Sequence, residues 1–489
     1  MKLLLTFFGL YLFAFNTAFS QLEDDLTWSP VLEKQSNEFV KKIIEGPSKS
    51  VWIFSYNPDI KNSININVLD SNAQLLAKNN INLGDSKIID AFYFDQSIYL
   101  FSKSQIPSEK VDAINAIKIN QKAEQSAIIP IFKSKSNGGY HNNFHLSVSP
   151  DRSKCAVICS PPYREGHHEE ITVALFEGEF DKIHETHINT KIPGHKKRTT
   201  VGAVNDNGFV YIIKKHRERT KTAYNLFTFD KGGSHHHAAI HAKSYKIADM
   251  TYTMDKDGAL IVGGFYSNPA RKNFEGVFVS KYPENVHSTY HKTFVFNQQI
   301  IEKLKDKKAI KESGYGLDKF HAKQMFIDHQ TDDVYLFAEH HSVLVDKKLG
   351  AMDSREGLIC VKINKNGIYQ AYHGIRLDQL DARNAGKWSS SYIDQDETSL
   401  LIFHNRVNDK EKSSEENLKH EAAFPIQTNS INAQGLSENN LEGIDAGFEN
   451  FGIITTYSSH SYDLLMTVGV ESKNDTQFKV GFKWLNLED

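Results

Sequence analysis

Histidine is the residue through which this chain could most readily do chemistry: there are 22 in 489 residues. Glu339-His340-His341, directly after the apolar run VYLFA, places a carboxylate beside two imidazoles at a strand end, a combination that could line a polar pocket in a channel or on a loop face. His235-His236-His237 with His241, His167-His168 and His340-His341 invite a metal reading, because neutral imidazole is a good ligand for zinc or copper. Successive residues of a strand point to opposite faces, so at most alternate members of the triplet could share one ion. No HExxH and no Cys/His spacing of a zinc site is present, and these histidines read first as exposed loop residues. No metal ligand or catalytic residue is assigned from the sequence, and Glu339, His340 and His341 are kept as candidates for a polar pocket.

The other chemical motifs are missing. The chain has no G-x-S-x-G elbow, no P-loop and no G-x-G-x-x-G opening a helix, so no cofactor is assigned. Asp332-Asp333 and Glu169-Glu170 sit in turns or before strands, where nothing marks them as an acid and base pair. The basic stretch His195-Lys196-Lys197-Arg198, with Lys214, Lys215, His216, Arg217 and Arg219, reads as a solvated face or weak anion patch. Fifty-seven basic residues against 60 acidic ones leave a formal charge of −3, with no global field to draw nucleic acid.

The elements that must position such residues are strands. An apolar tetrapeptide recurs as VWIF (51–54), IYLF (98–101), CAVI (155–158), VYII (210–213), ALIV (259–262), VYLF (334–337), LLIF (400–403) and LLMT (464–467). Its continuous apolar character suits a strand buried on both faces. A strand and a turn precede most copies, as in TYTMDKDG, and an alternating strand follows, as in EGVFVSKY. Four short strands per repeat form a sheet that cannot bury both faces alone, and packing such sheets round an axis solves the problem. The expectation is an all-β propeller of about eight four-stranded blades, with seven possible, in one domain over residues 21–489. A pair of β-sandwiches is the runner-up. The last repeat offers only three strands before the chain ends, so an early segment, Leu26–Leu32 or Phe39–Ile44, is expected to complete it.

Two stretches depart from the repeat. Gln298–Ser313 carries Ile300, Ile301, Leu304 and Ile310 in a charged context and predicts a short amphipathic helix ended by Gly314 and Gly316. Val407–His420 predicts an exposed loop. The three cysteines, Cys155, Cys159 and Cys360, read as buried small apolar residues. Cys155 and Cys159 lie four apart on one strand, about 13 Å, too far to pair.

Met1-Lys2, the apolar LLLTFFGLYLFAF and the small residues Ala18 and Ser20 before Gln21 have the form of a cleaved signal peptide. The apolar run is shorter than the roughly 20 residues a membrane span needs. Residues 1–20 are therefore expected to direct export to the periplasm, cell surface or exterior, and the mature chain to be monomeric with no transmembrane segment.

GGFYSNPARKNFEGVFVSKY, VYLFAEHHSV, EGLICVKINKNGIY and SLLIFHNRVND occur in that order. Over roughly residues 38–489 this succession resembles a group of uncharacterised secreted β-propeller-like proteins of Bacteroidota-type bacteria. That group carries G-F-Y-S, G-v-F and v-l-v-a-E-q strands in the same order, and His340-His341 stands where it has a Gln-aromatic pair. The resemblance implies an exported propeller and supplies no catalytic residues. Two functions from different classes stay open: a binding or scaffold protein of the cell envelope holding a protein or glycan, and a hydrolase or lyase acting on polysaccharide or peptide at the channel mouth.

Overall fold

Each of the eight apolar tetrapeptides marks the second strand of its own antiparallel sheet, six of them wholly within it and ALIV and LLMT from Leu260 and Leu465. The computed structural model describes residues 27–484 apart from 35–37, 61, 136–141, 163, 194–198, 219–220, 243–244, 268–273, 285–286, 297, 305–316, 318, 329, 347–349, 382–390, 396–399, 406–425, 433–434, 442–450, 454–464 and 473–476. The signal-peptide segment, the 407–420 loop and His195–Arg198 thus lie outside the described residues. Blades 1 to 5 begin at Phe39, Lys87, Asn143, Thr199 and Lys246, and blades 6 to 8 at Phe320, Ser391 and Phe451. The chain is a β-propeller of eight blades, and the sandwich alternative is set aside.

Packing explains the repeat. Trp52, Phe54, Ile64 and Ile66 of blade 1 share a cluster with Ile98, Leu100 and Ile117 of blade 2. Tyr99, Phe101 and Ile114 of blade 2 share the next with Cys155, Val157 and Cys159 of blade 3. The pattern continues between blades 3 and 4, 4 and 5, 5 and 6, and 6 and 7. The second strands of blades 1 to 6 therefore face apolar neighbours on both sides, as their continuous runs require. The three cysteines are buried free thiols within these clusters, where loss of solvation pushes the Cys159 thiol up to about 11.

The ring closes through the N-terminus. Thr27–Trp28 and Leu32–Glu33 pair antiparallel with Gln477–Trp484 and form the outer edge of blade 8. The Ser29 amide donates to the Val480 carbonyl at 2.9 Å, and the Val480 amide donates to Ser29 Oγ at 3.0 Å. Leu32 is buried with Phe478, Val480 and Phe482. The first of the two expected segments is the latch, and the second, Phe39–Gly46, is the innermost strand of blade 1.

Turns repeat as faithfully as strands. In Asp255–Ala259 the Gly258 amide donates to the Asp255 carbonyl at 2.9 Å, and the Asp255 side chain accepts from the Asp257 and Ala259 amides. Gly258 sits at φ +77, a left-handed backbone that glycine adopts freely. Asn205, Asp70, Asn120, Asp230 and Asn364 open turns with the same pair of backbone bonds.

Blade 6 carries an addition. Val334–His340 continues as Ser342–Asp346, both paired with the 14-residue strand Gly350–Ile363, whose other edge pairs with Tyr369–Asp381. The hairpin therefore runs five residues past the blade, about 16 Å at strand rise. The helical insert is shorter among the described residues than the sequence pattern suggests: Gln298–Leu304 is helical, Ile301 docks into the core between blades 5 and 6, and the rest of the expected span lies outside them.

The His145 imidazole joins two blades, with Nε2 donating to the Gly202 carbonyl at 2.9 Å. Burial holds its pKa below the ordinary value, although Gly202 and Asp90 pull it upward. The folded state therefore binds this proton less readily than the unfolded chain. Stability should be unaffected above the unfolded value of 6.5 and should fall as pH drops below it through the depressed folded value. Melting temperature followed from pH 7.5 to 5 should show a shallower acid slope in His145→Gln, whose amide keeps the donor. Equal slopes would remove His145 from the account.

Candidate functional site

The first and third strands of each blade start, and the second ends, on one face of the ring. Side chains at these positions in blades 5, 6 and 7 form a continuous polar network. Its innermost member is Glu339, only 3 % exposed, in the last turn of pleat before the hairpin. Its Oε1 accepts from the Ser391 amide at 2.7 Å and from Ser391 Oγ at 2.8 Å. Its Oε2 accepts from Arg355 Nη1 at 3.1 Å, and Lys323 Nζ approaches Oε1 at 3.3 Å. Lys323 is the extra residue of a β-bulge in the innermost strand of blade 6, which turns its side chain across the joint, where it also donates to the Ser391 carbonyl of blade 7. Blade 1 uses the same device: Lys41, at the equivalent bulge, donates to the Ile88 carbonyl of blade 2 at 3.4 Å. Burial lowers the pKa of Lys323, and the Glu339 carboxylate beside it opposes that shift.

Arg355 carries the network outward. Its Nε donates to Asp353 Oδ1 at 2.9 Å, and Asp353 Oδ2 lies 2.5 Å from His341 Nε2. Beside His341, the His321 ring meets it edge to face with centroids 6.1 Å apart, and His321 Nδ1 lies 3.3 Å from Asp249 Oδ2 of blade 5. His321 is the open member, its side chain 59 % exposed, while His341 is about one-third exposed. Each imidazole has one nitrogen held by a carboxylate, which fixes the ring plane and leaves the other edge to meet a ligand.

The structure thus brings Glu339 and His341 into one network and separates His340 from it. Alternation along the strand turns His340 away, to pack edge-on against Phe320 at 5.4 Å with Nε2 3.8 Å from Glu356. Sequence reasoning missed Asp249, His321, Lys323, Asp353, Arg355 and Ser391. No local motif marks them, since three blades contribute.

The His235–His237 triplet, expected in a loop, is instead in a strand. His235 and His237 lie on one face of the outer strand of blade 4, stacked over Phe229 and Phe227 at 5.8 and 4.7 Å, with His236 between them. Among the described residues no group of three His, Cys, Asp or Glu side chains is placed to hold a metal ion. Lys214, read from sequence as part of a solvated basic face, is instead fully buried against Glu169 at 2.6 Å. His216 is buried too. Both lie in the second strand of blade 4, where Lys214 meets Glu169 of blade 3 and His216 meets Asn225 of its own blade. Two aromatic rings are left open on the same face, Phe39 and Tyr56 of blade 1, each 39 % exposed and 6.2 Å apart.

No family model matches the chain, and no curated protein matches it. Among solved structures it is similar to the WD40 domain of SCAP from fission yeast, at 10% identity and TM-score 0.45, covering 94% of this chain and 95% of that one. It is also similar to Sqt1 from Chaetomium thermophilum, at 10% identity and TM-score 0.44, covering 95% and 99%. Oligogalacturonate lyase in complex with manganese matches at 10% identity and TM-score 0.41, covering 78% and 93%. Likeness at this level carries no activity to this chain, and the propeller stands on its own sheet order. No helix among the described residues is long and apolar enough to cross a membrane.

Proposed function

We propose that this is an exported binding propeller of the cell envelope or exterior, whose ligand contacts the rim of blades 5 to 7. The observation that carries the reading is the pair of imidazoles His321 and His341, each held by an aspartate and set side by side on one face of the ring. Preorganised donors and acceptors at an open surface suit a polar ligand, a glycan or a polar protein segment, because little ordering remains to be done on binding. The exposed Phe39–Tyr56 pair on the same face offers apolar contact for such a ligand. The hairpin of blade 6 that follows His341 adds exposed Val343, Leu344 and Val345 as further apolar contacts. Export and kinship with secreted Bacteroidota-type propellers belong to the same proposal and rest on the leader-like N-terminus and the ordered strand motifs.

The same carboxylate-backed imidazoles could transfer protons, which keeps a hydrolase or lyase acting on polysaccharide or peptide as the second reading. One experiment separates the two. The mature protein is screened against immobilised glycans and envelope peptides, with product release followed for every hit. A ligand retained by the wild type and weakened about tenfold, or 1.4 kcal/mol, in His321→Ala/His341→Ala supports the rim. Equal retention by the double variant removes it, and steady product release moves the assignment to the enzyme.

A further inference from the structure

The opposite face of the ring holds a second feature. A cleft of about 500 Å³ lies between blades 5 and 6, within the size range of small-molecule sites. Its walls are the turns that join first to second strands, Asp255–Ala259 and Asp328–Asp333, and those that lead into the outer strands, including Asn364–Ile368. The face carrying His321 is therefore on the other side of the ring.

Two of the lysines lining the cleft are already compensated. Lys281 Nζ lies 2.5 Å from Asp255 Oδ2, and Lys256 Nζ lies 2.9 Å from Asp332 Oδ1. Lys292 and Lys365 also line it, and neither has a counter-ion among the described residues. At the floor, the Tyr290 hydroxyl is buried without a hydrogen-bond partner. Leaving a buried hydroxyl unsatisfied costs about 1–3 kcal/mol, so such a group in a cleft wall marks a place where a ligand atom gains by binding. The Gly367 turn holds the ring in place: at φ +76 it packs so closely that a Cβ there would lie 2.7 Å from Tyr290 Cδ2. Thr289 and Asn366 add neutral hydrogen-bonding groups, and Asp257 adds an acceptor.

We propose that this cleft is a binding site for a hydroxylated carboxylate, an acidic sugar of the uronic-acid type. Lys292 and Lys365 take the carboxylate, the Tyr290 hydroxyl donates to a ligand oxygen, and Asp257, Thr289 and Asn366 meet the hydroxyls. The phenol suits the donor role because burial, with Asp255 adding to it, pushes its pKa up to about 12, so it keeps its proton at neutral pH. The mixture of two cations with nearby acceptors suits a ligand that carries both an anionic group and several hydroxyl donors, whereas inorganic phosphate offers little to the acceptors.

Calorimetric titration of the full mature protein with galacturonate, trigalacturonate, galactose and inorganic phosphate tests the site. The monomer and trimer separate a free acidic sugar from a chain segment as the source. Saturable binding of at least one uronate is expected, with galactose and phosphate at least about tenfold weaker. Lys292→Ala/Lys365→Ala, both at exposed positions, should weaken uronate binding about tenfold or more, and Tyr290→Phe by roughly three- to tenfold. His321→Ala/His341→Ala on the other face should leave it unchanged. No saturable uronate binding, equal binding of galactose, or full binding by the double lysine variant would each overturn the proposal.

Discussion

Removing residues 22–34 should cost at least about 3 kcal/mol of stability and broaden the unfolding transition. The segment is short, yet it closes the ring across 451 residues of sequence, from Ser29 to Val480. Losing it exposes the whole edge of Gln477–Trp484 and uncovers Phe478, Val480 and Phe482, which Leu32 now seals. Leu32→Ala alone should account for about 2–5 kcal/mol, since the side chain is 4 % exposed in a packed cluster. A second variant probes the same joint from the other side. A Cβ at Gly481 would lie 2.9 Å from Trp28 Cη2, so Gly481→Val should push the latch away and mimic the deletion. Denaturant unfolding of the three variants against the wild type is the measurement. An unchanged midpoint for the deletion would show that blade 8 holds without its outer strand.

How much of this was legible in the sequence depends on the range of the interaction. CAVI and VYLF are apolar because neighbouring blades cover both their faces, and that pressure writes itself locally, one run per blade. The Asp255–Gly258 turn is equally local, since one side chain caps backbone groups within four residues. The latch was foreseen only as an arithmetic shortfall of one strand, because pairing of Leu32 with Phe478 leaves no mark on either segment. The polar joints were misread for the same reason. Lys214 sits among cationic residues in the sequence, and nothing adjacent shows that Glu169, a blade away, neutralises it. In the rim, Glu339 and His341 were visible as neighbours, while Asp249, His321 and Ser391 come from strands 18 to 90 residues distant. The hairpin of blade 6 was hidden inside an otherwise regular repeat, because SVLVD continues the strand before it without a break in pattern.

Glu339→Gln should destabilise the protein by about 2–4 kcal/mol, and Glu339→Ala by about 3–5 kcal/mol, values expected when one partner leaves a buried charge network. The amide of the glutamine variant can still accept from the Ser391 amide, so the difference between the two reports that hydrogen bond. What both lose is the charge that Lys323 and Arg355 share. Lys323 gives the experiment its sign. Burial already lowers its pKa, and Glu339 is the main influence holding it up. Without the carboxylate the folded value falls further below 10.5, so the charged lysine penalises folding at neutral pH. That penalty is present below the folded value and is relieved as pH rises from there towards 10.5. The deficit of Glu339→Gln should therefore narrow between pH 7 and 10, and Glu339→Gln/Lys323→Met should lose that narrowing and recover part of the stability. A binding role for Glu339 predicts the opposite pattern, lost ligand retention at full stability. Urea midpoints at both pH values, with retention at the rim measured on the same samples, decide whether this carboxylate acts as the joint between blades 6 and 7 or reaches the ligand itself.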